Sequence, residues 1–529
     1  MKIKAYVLAV FLMASGILSA QWNPEAIKLM EVMDKVSRYY VDSIDDGEVV
    51  EQAIIDLLHE LDPHSSYVSK EDLDDMNEQL EGEFEGIGVS FNILEDTIFI
   101  IRAISGGPSE RVGIQAGDRI VEVDGENVGG IGITTKGVQT RLKGKKGTRV
   151  SVKVKRRKVD DLLEFNIIRD KIPVFSLDAS YMVNDRIGYI KLARFSHTTI
   201  EEFETALKAL KREGMQDLIL DLSGNGGGWL PVAVELADHF LSGSKMIVST
   251  EGRMVAKREY RARKTGLFEE GRLVVMIDQN SASASEIVSG AVQDWDRGVI
   301  VGRRSFGKGL VQQPFYLNDG SMIRLTVARY YTPTGRLIQK PYEDGFEDYA
   351  MDLINRYNSG ELNSSDSIVF PESQRYKTLL LSRTVYGGGG IMPDYFVPID
   401  TTNFSNYYRN LINRGIFNQF VLQHVDDNRS ELKRRYPDFT SYKLKYYPSE
   451  ELLEELIAFA DAEGLAFVEE DWKRSRDQIR LLLKGYFARD LFEMGSFFEV
   501  YNDSDQMFLK AVQILEDPEM HQAKLVKAH

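Results

Sequence analysis

The sequence predicts a multidomain α/β protein: an α/β core carrying a β-rich insert, preceded by a helical region and followed by a helical extension. Three observations lead there. From about residue 175 to 345, strand-like and helix-like runs alternate, the pattern of an α/β core. Between 86 and 172, short β-type runs are separated by glycine-containing turns. Residues 23–82 and 403–529 carry apolar residues at helical spacing among many charges. A chain of 529 residues is long enough for roughly three or four domains.

The elements follow in order. Lys2 and Lys4 precede an apolar stretch, 5–18, and then Ser19-Ala20. This reads as a secretory signal peptide over residues 1–20, although Leu18 is large where a small residue is usual. The stretch is short of the about 20 residues that a membrane span needs; a retained anchor, keeping the protein beside a membrane, is the alternative. Residues 23–82 are helical and acidic, with Ile54, Leu57, Leu58 and Leu61 on one stripe and Pro63 as the stop. Residues 86–172 contain Gly86-Ile87-Gly88-Val89, the strand Thr97-Ile98-Phe99-Ile100-Ile101, the turn Gly106-Gly107-Pro108, and Gly117-Asp118 ahead of an Asp124-Gly125 hairpin. This segment resembles a PDZ domain, a module that adds a peptide C-terminus as a strand and captures its carboxylate on backbone N–H groups. The resemblance puts Ile87 and Gly88 in the carboxylate loop. The basic run Lys153, Lys155, Arg156, Arg157 and Lys158 reads as the solvated face of a strand. The core spans 173–400, and the extension 403–529 includes the amphipathic stretch 472–492.

Composition excludes several chemistries. With no cysteine there is no disulfide, thiolate metal site, cysteine nucleophile or N-terminal lipidated cysteine. An exported chain without cysteine fits a bacterial envelope and must rely on its cores for stability. A formal charge of -16 argues against nucleic acid as a partner. The seven histidines form no HExxH pair and none adjoins the serine motif below, so each reads as a surface or core histidine and no metal-ligand constellation is visible.

The motif Asn280-Ser281-Ala282-Ser283-Ala284-Ser285-Glu286 places Ser283 at the first turn of a helix whose stripe is Ile287, Ala291 and Trp295. Ser283 with Glu286 is also a capping box, which by itself implies no chemistry. Two features point further. Ala282 and Ala284 leave room beside the hydroxyl, and a helix N-terminus favours a developing oxyanion. A glycine-rich turn, Ser223-Gly224-Asn225-Gly226-Gly227-Gly228-Trp229, follows a buried strand and exposes backbone N–H groups of the kind an oxyanion hole requires.

Lys308 lies between Gly307 and Gly309, in a run that nearly matches a nucleotide phosphate loop. The match fails: a glycine replaces the hydroxyl residue after the lysine, and no helix pattern follows. As a base, Lys308 must be neutral, which burial and positive neighbours promote. Gln312 or Gln313 is available to orient the amine, and the chain must bend for Gln312 to reach it, since four extended residues span about 13 Å.

Together these residues resemble the C-terminal processing peptidases, also called tail-specific proteases. The resemblance runs over roughly residues 50–400, through Leu61-Asp62-Pro63-His64-Ser65-Ser66-Tyr67, Gly86-Ile87-Gly88, Gly117-Asp118, Asp221-Leu222-Ser223 with the glycine turn, the serine motif, Gly307-Lys308-Gly309 with Gln312, Tyr330-Tyr331-Thr332-Pro333-Thr334-Gly335-Arg336, and Gly389-Gly390-Ile391-Met392-Pro393-Asp394. It implies a crotonase/ClpP-like α/β protease core with an inserted PDZ domain. It also implies Ser283 as nucleophile, Lys308 as general base, Gln312 as its orienter and oxyanion donors at the N–H groups of Gly228 and Ala284. Ser223 stands where the family often has arginine. No cofactor is implied, and the expected partners are protein substrates with exposed C-terminal tails. Residues 403–529 look similar to extensions of family members from Bacteroidota. Two other readings are a non-catalytic PDZ-bearing binding or chaperone protein on the same fold, which the intact serine and lysine oppose, and a crotonase-type acyl-CoA enzyme, which the signal peptide and PDZ segment oppose.

Overall fold

The computed structural model describes residues 23–526, so the signal-peptide segment lies outside the described residues. Helices Pro24–Tyr39, Asp46–His59 and Lys70–Glu81 make up the N-terminal region. The last ends on Gly82 in the left-handed conformation, followed by the strand Glu83–Gly86. That strand pairs antiparallel with Asp170–Pro173, so the two connections to the β-rich insert form a single neck. The insert is a sheet in the order 89–94, 97–103, 119–123, 149–155, 163–168, with helices Pro108–Val112 and Thr135–Leu142 closing over a core of Ile98, Ile100, Ile120, Val152 and Val154.

The main core is a six-stranded sheet in the order Leu177–Met182, Ile187–Leu192, Asp217–Asp221, Leu273–Ile277, Val299–Gly302, Tyr395–Phe396. All neighbours are parallel except the first pair. Parallel strands need cover on both faces. Helices Thr199–Arg212, Leu230–Asp238 and Ala284–Asp294 supply one layer, through Phe203, Leu207, Leu236, Val288 and Val292. The opposite face, with Tyr189, Ile219, Val274 and Val301, is covered by Met507, Phe508, Ala511, Ile514 and Leu515 of the helix Gln506–Glu516. The end of the C-terminal region is therefore part of how the core is built. A second sheet carries the hairpin Leu310–Tyr316 with Met322–Tyr331, and the N-terminal strand Ser66–Val68 pairs onto it.

The rest of the extension forms its own helical core around Phe417, Leu453, Leu456, Ile479, Leu483 and Phe487. Its helix Ile416–Arg435 touches the insert: Leu422 packs with Leu94 and Phe99, Arg119 pairs with Asp426 at 3.0 Å, and Arg157 pairs with Asp427 at 2.8 Å. The basic run is thus more than a wet face, since Arg156 also clamps the buried Asp118 at 2.7 Å. Among the described residues no helix is long and apolar enough to cross a membrane.

Candidate active site

Three loops meet at the C-terminal ends of the parallel strands. The loop after Leu273–Ile277 leads to Ser283, the N-cap of the helix Ala284–Asp294. The glycine turn after Asp217–Asp221 is bolted to it. Asp278 Oδ1 accepts from the Gly224 N–H at 2.9 Å, Ser281 Oγ donates to the Leu222 carbonyl at 2.8 Å, and the Asn225 carbonyl accepts from Ala282 N at 3.0 Å and Ser285 Oγ at 2.9 Å. Gly227, at φ +103°, lies so close that a Cβ there would stand 2.8 Å from the Ser283 Cβ and 3.0 Å from the Ala284 nitrogen. A side chain at 227 would fill the space next to the hydroxyl. The N–H groups of Gly228 and Ala284 have no acceptor among the described residues.

Ser283 itself is held at φ 55°, ψ -110°, a conformation that a residue with a Cβ enters only under strain. Ser283→Gly is expected to be more stable than Ser283→Ala by about 1 kcal/mol, after the entropy cost of glycine, as read from their denaturation midpoints.

The third loop carries Lys308. Its flanking glycines do pack tightly, Gly307 against Gly390 and Gly309 against Gln339, where added Cβ atoms would meet neighbours at 3.1 and 2.8 Å. Two groups hold this loop to the serine. Glu286, fully buried, accepts from the Ser283 N–H at 2.8 Å and the Lys308 N–H at 2.9 Å on one oxygen, and from Ser305 Oγ at 2.6 Å and the Gly307 N–H at 2.7 Å on the other. Burial pushes its carboxyl up to about 6, against the pull of those four donors. The Tyr330 hydroxyl bridges the Lys308 carbonyl at 2.5 Å and the Ser283 carbonyl at 3.2 Å. One carboxylate oxygen and one phenol thus each span the backbones of both residues.

Burial first, and Arg324 after it, push the Lys308 amine down to about 8, against the pull of Glu286 and Asp62. Lys308 Nζ donates no hydrogen bond to any described residue, and none joins it to Ser283 Oγ. Gln312 sits at a β-bulge between Val311 and Gln312, the bend that its reach requires, but its amide donates to Thr326 Oγ1 at 3.3 Å and not to Lys308. His64, pushed down to about 3 by burial and by Lys308, is neutral and hydrogen-bonded to the Tyr349 hydroxyl at 2.7 Å.

Ile87 and Gly88 belong to the insert, on the link between Glu83–Gly86 and Val89–Leu94. Gly88 is left-handed at φ +73°, and the Ile87 carbonyl accepts from Ser109 N at 3.0 Å and Ser109 Oγ at 2.7 Å. The Ile87 and Gly88 N–H groups have no acceptor among the described residues. The neck that carries them is tied to the core beside the glycine turn, where Trp229 Nε1 donates to the Leu80 carbonyl at 3.0 Å.

Family models match in three places: peptidase family S41 over residues 186–347, a PDZ domain over 99–156, and a family of unknown function over 407–493. The carboxy-terminal-processing protease of Bartonella bacilliformis is 35% identical over 352 residues, which are 64% of this chain and 80% of that protein. The chain belongs to the carboxy-terminal processing protease family. Carboxy-terminal processing protease CtpB of Bacillus subtilis is 33% identical over 61% of this chain and 68% of its own length. Among solved structures, the photosystem II D1 C-terminal processing protease is 28% identical, covering 60% of this chain and 90% of that one with a TM-score of 0.33. The protein is accordingly a serine-type peptidase with an S41 core, a PDZ domain that binds peptide or protein, and a helical C-terminal region.

The loop sequences pointed to Ser283, Lys308 and the glycine turn. They did not point to Tyr330, Asp62 or Arg324 as neighbours of the lysine, and they presented Glu286 only as a cap. Glu286 was within reach of reasoning: it is the single charged residue within 281–293, among small and apolar neighbours, so burial is expected, and a buried carboxylate needs donors beyond the cap.

Proposed function

We propose that this protease cleaves near the C-terminus of envelope proteins with a Ser283–Lys308 dyad. The observation that carries the proposal is the double bridge by Glu286 and Tyr330, which holds the serine and a buried amine of depressed basicity on adjoining loops. The PDZ unit, 86–172, captures a substrate tail, with the free N–H groups of Ile87 and Gly88 taking its carboxylate. The neutral Lys308 amine accepts the Ser283 hydroxyl proton as Oγ bonds to the peptide carbonyl carbon. The oxyanion is received by the Gly228 and Ala284 N–H groups at the helix N-terminus. The lysine proton then passes to the departing amine as the C–N bond breaks. Water, deprotonated by Lys308, releases the acyl group, and no cofactor enters. Gln312 orients the amine when substrate draws the pair together, since catalytic hydrogen bonds commonly tighten only in the complex. Residues 1–20 direct export to the periplasm or envelope of a Gram-negative bacterium, and a retained leader would keep the enzyme at the membrane surface.

The test is cleavage of an unfolded protein ending in apolar residues. Ser283→Ala and Lys308→Ala are each expected to abolish it, by on the order of 10⁴-fold in kcat. Full activity in both variants would refute the assignment.

A further inference from the structure

Behind Lys308 the wall of the site comes from far away in the chain. The turn 62–65 lies some 240 residues earlier, yet its hydrogen bonds close around the lysine from two sides. Asp62 is buried and accepts four of them: on one oxygen from His64 N at 2.8 Å, Ser65 N at 2.9 Å and Thr326 Oγ1 at 3.0 Å, and on the other from Ser65 Oγ at 2.6 Å. Thr326 Oγ1 in turn accepts from the Gln312 amide at 3.3 Å, and the Thr326 N–H donates to Ser65 Oγ at 3.1 Å. This arm fixes the strand that leaves Lys308. The other arm runs from His64 Nε2 to the Tyr349 hydroxyl at 2.7 Å, from the Gln339 amide to the same hydroxyl at 3.3 Å, and from Gly309 N to Gln339 Oε1 at 2.8 Å. It fixes the residue next to Lys308. The turn is held in register because Ser66 pairs with Arg324 and Tyr67 with Ile323.

We propose that Asp62 is a positioning residue for Lys308, anchoring both arms that frame the amine and standing as the negative counterpart of Arg324. The proposal rests on the reading of Lys308 as the base. The groups facing the amine are Asp62 and neutral His64 from the turn, Arg324 from the hairpin and Glu286 from the serine helix. Lys340, the next cation out, is paired with Asp352 at 2.8 Å on the helix Phe346–Asn358, which also carries Tyr349. Of these, Asp62 and Arg324 are charges of opposite sign that the serine helix does not share, so each can be removed without touching Glu286.

The test is the pH profile of kcat/KM for the full chain on an unfolded protein substrate. Asp62→Asn keeps an acceptor for three of the donors, and Ser65 Oγ can rotate to accept from the new amide. Loss of the charge disfavours the ammonium, so the rising limb moves to lower pH by about half a unit or more. Arg324→Met moves it to higher pH by a similar amount. A purely structural role lowers the plateau and leaves both midpoints at the wild-type pH; that result overturns the proposal. If Asp62→Asn does not fold, Thr326→Val, which cuts the arm from Asp62 to the strand of Gln312, decides: a fall in kcat/KM with the fold intact supports the proposal, and wild-type kcat/KM overturns it. An error in the underlying reading shows separately, as activity that survives in Lys308→Ala.

Discussion

Replacing Lys308 by methionine is expected to abolish turnover and, at neutral pH, to make the core more stable. Activity falls by on the order of 10⁴-fold because the proposed general base is removed. The stability gain comes from the amine being carried into the fold at a cost. Its pKa falls from 10.5 in the unfolded chain to about 8 in the folded protein, through burial and then Arg324. Between those two values the unfolded state binds more protons than the folded one, so wild-type stability rises with pH across that window and the full penalty applies below about 8. The gap corresponds to about 3 kcal/mol. Methionine fills a similar volume and carries no charge. The variant should therefore exceed wild type by up to about 3 kcal/mol at pH 7, and the advantage should shrink as pH rises toward the unfolded-state value. Denaturant midpoints of the core transition at the two pH values provide the check. A variant less stable than wild type at pH 7 would mean that the amine is not held at a cost.

Glu286 should be the residue whose loss damages fold and activity together. Its carboxylate, fully buried, receives four donors from two chain segments, the serine loop and the 305–308 loop. Glu286→Ala leaves Ser283 N, Gly307 N, Lys308 N and Ser305 Oγ without their acceptor, at a cost of roughly 3–5 kcal/mol. The serine and lysine loops then lose one of their two bridges, and a displacement of about 1 Å between reacting groups costs on the order of 100-fold in rate. Glu286→Gln should fare little better, because an amide turns a donor toward N–H groups that need an acceptor. If Glu286→Gln retained wild-type activity and stability, the carboxylate bridge would have no catalytic role.

Much of this arrangement was legible in the sequence because it is local. Ser283 is flanked by alanines at a helix start, Gly226, Gly227 and Gly228 follow a buried strand, and Lys308 stands between glycines; each is a short-range statement about backbone and space. The alternation of strands and helices likewise gave the α/β core with its inserted module. What could not be read depends on register and on pairing between distant segments. Asp62 reaches the lysine only because Ser66 happens to pair with Arg324 across two strands far apart in sequence. Nothing in the apolar stripe of Gln506–Glu516 says that it covers the outer face of the core sheet. Arg157 looked like a solvated strand residue because its partner, Asp427, is on a helix of the extension. Gln312 shows the same limit from the other side: the bend was foreseeable, but its choice of Thr326 was not, since that hydroxyl comes from the neighbouring strand.

The mechanism requires that the fold lower the basicity of Lys308 enough for a substantial fraction of its amine to be neutral near pH 8, beside Ser283. The direct measurement is an NMR titration of lysine side chains labelled at Cε and Nζ, with the Lys308 signal assigned by its absence from Lys308→Met. A midpoint at about 8 is the predicted result. A midpoint at or above about 10, the value of an ordinary exposed lysine, would contradict it.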